Sequence, residues 1–225
     1  NLDVNNKDKL YLAHFLFPET SGTKKIEGVL QRAASADRIC RLKFSEGEYT
    51  QDLCLQVFKD TILLSYLIDT DDSDCELKTP EKIKRASFYL LNCFQLTYST
   101  LSDSPALLMS RRKYEELREQ ADAYTLYVLT ERLTAETGDV VNSPQLASVM
   151  KSPTAEGELK LCSMHEGTWY FQRALYMENN SGGWLVRVSG KPAEDWMIAV
   201  PLTRPQLCSI FYRWLLQPIE VSNGE

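Results

Sequence analysis

The chain has 225 residues, is 44% apolar and 25% charged, and carries a formal net charge of −6 at neutral pH. This composition excludes extensive disorder and leaves room for one large domain or two small ones with a sizeable core. The acidic balance works against nucleic acid, because phosphate binding needs clustered Lys and Arg; the longest clusters, Lys82–Lys84–Arg85 and Arg111–Arg112–Lys113, fall on solvated helix faces.

Residues 1–9 are polar. Leu10 to Phe17 is an apolar run stopped by Pro18, and its length predicts a buried strand that packs His14. Lys24 to Ala36 carries Ile26, Val29, Leu30 and Ala33 at helical spacing. Three strands follow, Ile39–Phe44, Leu53–Phe58 and Thr61–Ile68, with a turn at Glu46-Gly47-Glu48 and a hairpin at Lys59-Asp60. An acidic loop, 69–76, leads to a helix from Pro80 to Tyr98, where Thr79 caps and Pro80 suits the first turn. A single long helix is expected from Ser110 to Leu133 on the stripe Tyr114, Leu117, Ala121, Tyr124, Val128.

Residues 134–157, rich in Thr, Ser, Gly and Pro, read as a connector with a helical turn or two after Ser143-Pro144. The last third reads as a meander: Glu158–Met164, Trp169–Met177, Trp184–Ser189 and Trp196–Val200. Thr203 and Gln206 make a capping box before a final helix to Pro218. The expected fold is α+β, with two antiparallel β-meander plus helix units whose sheets are covered on one face by helices. The expected division is an N-terminal α+β unit over residues 1–135, a connector over 136–157 and a C-terminal unit over 158–225.

Six cysteines, Cys40, Cys54, Cys75, Cys93, Cys162 and Cys208, are too dispersed for a secreted disulfide framework. Three lie inside apolar stretches, where a thiol behaves as a small hydrophobe. Free thiols and a reducing, cytoplasmic setting are expected. No run of about 18 apolar residues marks a membrane-spanning helix, and the opening NLDVNNKDKL has none of the marks of a signal peptide.

Chemistry is sparse. The offset of Cys162-x-x-His165 puts the two side chains on opposite faces of a strand, and no second ligand pair completes a zinc site. The acidic loop lacks the Gly and distal Glu of a calcium loop. No Gly-rich phosphate loop and no nucleophile elbow occurs. No metal or cofactor is expected, and an enzyme would need a site that the sequence does not announce.

Aromatic residues crowd the last third. Alternation places Trp169, Phe171, Leu175 and Met177 on one strand face and Tyr170 and Tyr176 on the other. Arg173 and Arg187 sit inside strands, where each must reach solvent or a carboxylate. Trp169, Tyr170, Arg173, Tyr176, Trp184, Arg187 and Trp196 are therefore the expected partner-binding residues, since Tyr, Trp and Arg dominate binding hot spots.

Over residues 10–100, the order of LYLAHFLFP, KKIEGVLQRA, LCLQVFKDTILLSYLI and TPEKIKRASFYLLNCF resembles a longin-type or roadblock-like module of membrane-traffic adaptors. The resemblance implies a subunit of a membrane-traffic complex. The leading expectation is a non-enzymatic protein-interaction module, an adaptor or assembly subunit with a protein partner, homo- or hetero-oligomeric. A secretion or folding chaperone that holds an extended client segment at a sheet edge is the alternative.

Overall fold

Period-two alternation in both halves produces two antiparallel meanders, and one strand pair fuses them. The computed structural model describes residues 6–18, 24–33, 35–58, 61–67, 75–77, 106–188, 194–203 and 205–207. The expected helix over Pro80–Tyr98, the hairpin turn at Lys59-Asp60, most of the acidic loop and the helix beyond Leu207 lie outside them.

Two helices open the chain, α1 (Asn6–Leu16) and α2 (Lys24–Ala33). Strands β1 (Arg38–Glu46), β2 (Tyr49–Phe58), β3 (Thr61–Tyr66) and β4 (Cys75–Leu77) follow. After β5 (Leu107–Met109) come α3 (Arg111–Glu119), α4 (Leu126–Thr137) and α5 (Ser143–Lys151). The second meander is β6 (Ala155–His165), β7 (Thr168–Asn179), β8 (Gly182–Val188) and β9 (Met197–Pro201). The fold is α+β, with a single antiparallel sheet in the order β4-β3-β2-β1-β6-β7-β8-β9-β5. The β1–β6 seam, with Arg38 opposite Ser163 and Glu46 opposite Ala155, makes the two meanders continuous.

The run from Leu10 is a helix, not the expected strand. An apolar run of this length fits either state, and here Leu12 and Leu16, one helical turn apart, are both buried. The Leu16 carbonyl, left without a helical partner, accepts from Arg41 Nη1 at 2.6 Å. A cation at a helix C-terminus is favourable. His14 is exposed rather than packed. The element that opens the longin-like order is thus helical.

The expected single helix from Ser110 is two helices. Ser110 caps α3 and Thr125 caps α4, each through its hydroxyl. Between them, Lys151 Nζ donates to the carbonyls of Ala121 and Tyr124, at 3.2 and 2.5 Å. Helix α4 ends on Gly138, whose φ of 72° is the left-handed cap that favours glycine. The capping box at Thr203 forms, with Thr203 N–H donating to Gln206 Oε1 at 2.8 Å.

Because side chains alternate, each strand gives one set to each sheet face. On one face, α1 and α2 bury Ile39, Cys54, Cys162 and Trp169, while α3 to α5 bury Met177, Trp184, Val186 and Met197. Leu42, Phe44, Leu55, Leu159 and Tyr176 are buried on the opposite face. Cys40, Cys54 and Cys162 are free and buried, as expected for packed thiols. Burial pushes the Cys40 and Cys162 thiols well above their ordinary pKa.

Candidate functional site

The helices of the first face stand in two groups, and the middle of the face is a saddle between them. Helix α1 forms one wall. Tyr11 and Phe15 make edge-to-face contacts with Phe171 of β7, at centroid distances of 4.7 and 5.1 Å. Such pairs add to simple burial. Tyr11 nevertheless stays 44% exposed, and Leu10 is 73% exposed. The crest of α1 therefore presents apolar surface beside the saddle.

Helix α3 forms the other wall. Tyr114 and Leu117 anchor it to the sheet and are fully buried. Burial pushes the Tyr114 hydroxyl up to about 12. The helical period then turns Glu115, Arg118 and Glu119 towards a hollow of about 510 Å³ whose sheet side includes Lys43, Glu158 and Arg173. Phe171, under α1, and Leu175, at the α3 side, lie four residues apart on β7. That is about 13 Å of strand, with Arg173 between them on the same face.

The floor is ionic. Register places Arg41, Lys160 and Arg173 side by side on β1, β6 and β7. Asp52 holds Arg41 through both oxygens, at 2.8 and 2.5 Å, in a pair that is almost wholly buried. The Arg41 guanidinium also lies 5.0 Å from the centre of the Phe17 ring. Glu158 serves two cations, accepting from Arg173 Nε at 2.6 Å and lying 3.5 Å from Lys160 Nζ. Burial holds the Lys160 ammonium below the usual lysine range, with Glu158 working in the other direction. On the α3 side, Arg118 pairs with Glu156 at 2.5 Å, and Glu115 reaches Arg173 only at 4.0 Å.

The seven residues expected to bind a partner do not form one surface. Arg173 lies in the saddle, and its carboxylate is Glu158. Trp169 is buried beneath α1 and α2, at the foot of the aromatic wall. Tyr176 and Trp184 are 1% exposed and belong to the core. Tyr170 and Arg187 are exposed on the opposite face, and Trp196 is half-buried, donating to Glu194 at 3.1 Å. Sequence reasoning missed Tyr11, Lys43, Glu115, Arg118, Glu158 and Lys160. Alternation along Glu156, Glu158 and Lys160, against apolar Leu159 and Leu161, was the available signal: a strand expected to be core on one face carries charge on the other.

A second hollow, of about 310 Å³, lies on the opposite face, lined mainly by Leu159, Ala174, Leu185, Val200, Leu202 and Leu207. No helix among the described residues is long and apolar enough to cross a membrane.

No protein-family profile matches the sequence, and no curated protein matches it. Among solved structures, the chain is similar in fold to the Mycobacterium tuberculosis type VII secretion system chaperone EspG5, solved in complex with the PE25-PPE41 dimer. The TM-score is 0.61 at 11% identity, and the match covers 99% of this chain and 87% of that one. At that identity the likeness is one of fold.

Proposed function

We propose that this chain is a protein-binding chaperone that holds a helical segment of its partner in the saddle between α1 and α3. The observation that carries the reading is the saddle itself: the sheet between the two helix groups, with the aromatic side of α1 at one end and the charged hollow beside α3 at the other. A partner helix laid into a groove uses one apolar flank and fixes its register with polar contacts. The near full-length likeness in fold to a secretion chaperone bound to a protein dimer supports the same class.

Two further points support a face rather than an edge as the docking surface. Among the described residues, both outermost strands, β4 and β5, have three residues, which offers few ladder bonds to an added strand. The floor is ionic, with Arg41, Asp52 and Lys160 buried and Arg173 and Glu158 half-buried, which favours a partner that is released, because obligate interfaces are more apolar. Buried free thiols support a reducing, cytoplasmic setting.

The test is site-specific photo-crosslinking of the chain expressed in its own source, with a benzophenone amino acid at Tyr11, at Glu119 or at Leu108. Leu108 is 61% exposed on the opposite sheet face and serves as the control. A protein adduct is expected from Tyr11 and Glu119 and not from Leu108. Adducts from Leu108 alone, or from all three alike, would remove the saddle as the docking surface.

A further inference from the structure

We infer that the chain's own C-terminal segment, residues 208–218, folds back over the sheet face opposite α1 to α5 and roofs the apolar hollow there. The inference stands apart from the saddle, which lies on the other face.

The opposite face is buried without a described cover. Cys40, Leu42, Leu55, Leu159, Tyr176 and Leu185 are all buried on it. No residue of α1 to α5 joins that cluster, which among the described residues is built from strands together with Leu202 and Leu207. A sheet face this apolar needs a second layer to keep water from it. The hollow of about 310 Å³ lies on the same face and crosses four neighbouring strands, from Val200 on β9 through Leu185 on β8 and Ala174 on β7 to Leu159 on β6. At about 4.8 Å between strands, its width is about 14 Å.

The chain leaving β9 starts in the right place. Thr203 N–H donates to Gln206 Oε1 at 2.8 Å, and Gln206 N–H donates back to Thr203 Oγ1 at 3.4 Å. This reciprocal pair is a helix start. Leu207 N–H then donates to the Thr203 carbonyl at 3.0 Å, the first bond of a helical ladder. Leu207 is buried and lines the hollow, so the first turn already carries an apolar side chain to it. Counting on from Leu207, the sequence places Ile210, Phe211, Trp214 and Leu215 three, four, seven and eight positions later. That is the spacing of a single helical stripe. Eight residues of helix rise about 12 Å, close to the width of the hollow. Pro218 closes the stripe. A face covered in this way is occupied by the chain itself, which leaves a partner the helix-bearing face.

The experiment places a benzophenone amino acid at Trp214 or at Arg213 of the purified full chain and maps the adducts by mass spectrometry. Arg213 is the neighbouring residue but falls on the opposite flank of the helical period. Trp214 is expected to give an adduct within the same chain to residues 157–163 or 170–176, and Arg213 to give none there. A bulky probe can unseat the segment it reports on, so Phe211→Ala/Leu215→Ala is measured beside it. That variant should bind the dye anilinonaphthalene sulfonate under native conditions with several-fold the fluorescence of wild type, as newly exposed apolar surface does, while Arg213→Ala should match wild type. Trp214 adducts only to residues 78–105, only between two chains, or to no strand of the sheet would overturn the inference. Equal yields on the sheet from both positions, or a double variant that binds no more dye than wild type, would overturn it as well.

Discussion

The buried pair Arg41–Asp52 gives the most quantitative expectation. Asp52→Leu leaves a guanidinium that is 7% exposed without its carboxylate, and Arg41→Met leaves the carboxylate and the Leu16 carbonyl without their donor. Breaking one side of a buried pair typically costs about 3–5 kcal/mol, because the remaining charge stays desolvated. Each single variant should therefore lose roughly that much. The double variant Arg41→Met/Asp52→Leu removes both charges and should lose far less. Its residual cost is about 1–3 kcal/mol for the unsatisfied Leu16 carbonyl, so the singles and the double should differ by a coupling of about 3 kcal/mol or more. Urea unfolding followed by tryptophan fluorescence measures all four species. Single variants within about 1 kcal/mol of wild type, or losses that simply add, would refute the view that this pair is desolvated and holds the end of α1 on the sheet.

Two other expectations follow from local geometry. A Cβ on Gly183 would press on the Leu202 carbonyl and come within 2.7 Å of the Tyr176 hydroxyl, so Gly183→Ala should cost about 1–3 kcal/mol in the same assay; no loss would mean that the β7–β9 region yields freely. The side-chain amide of Asn142 and the backbone N–H groups of Asn142 and Val141 hold the Asp139 carboxyl below its usual range. Its contribution is therefore complete above the unfolded value of about 3.9 and is lost as pH falls through the lower folded value. The gap in urea midpoint between wild type and Asp139→Ala should be full at pH 5 and shrink in strong acid, and a gap independent of pH would remove the assignment.

Strands were the most legible part of the sequence, because alternation reports directly on a sheet with two different faces. Ile39–Phe44, Leu53–Phe58 and Trp169–Met177 all fall inside observed strands. Leu10–Phe17 failed because periodicity cannot separate a short buried strand from a short helix. The partners that receive the helix, among them Arg41 at the Leu16 carbonyl, are distant in sequence. The break after Glu119 failed for a similar reason, since Lys151 supplies the donors that let the chain turn. The saddle was only partly legible. Arg173 was identified as a strand arginine needing a carboxylate, but its neighbours on the floor come from β1 and β6. That convergence depends on the seam between the meanders, which no local pattern encodes. Aromatic density pointed instead to Tyr176 and Trp184, which are core.

The β1–β6 seam also has a kinetic meaning. Its paired residues lie more than a hundred positions apart in the chain, so it closes a long loop, whereas each meander is built from neighbouring hairpins. Loop closure costs entropy before any contact repays it, and topologies rich in such long-range pairings fold slowly. We therefore expect the seam to zip late, after the separate hairpins have formed. The floor of the saddle draws Lys43 and Arg41 from one side of that seam and Glu158 and Lys160 from the other. On the docking proposed above, a partner would find nothing to hold during synthesis until β6 and β7 had left the ribosome, and any variant that slows zipping would delay its capture without touching a single contact to it.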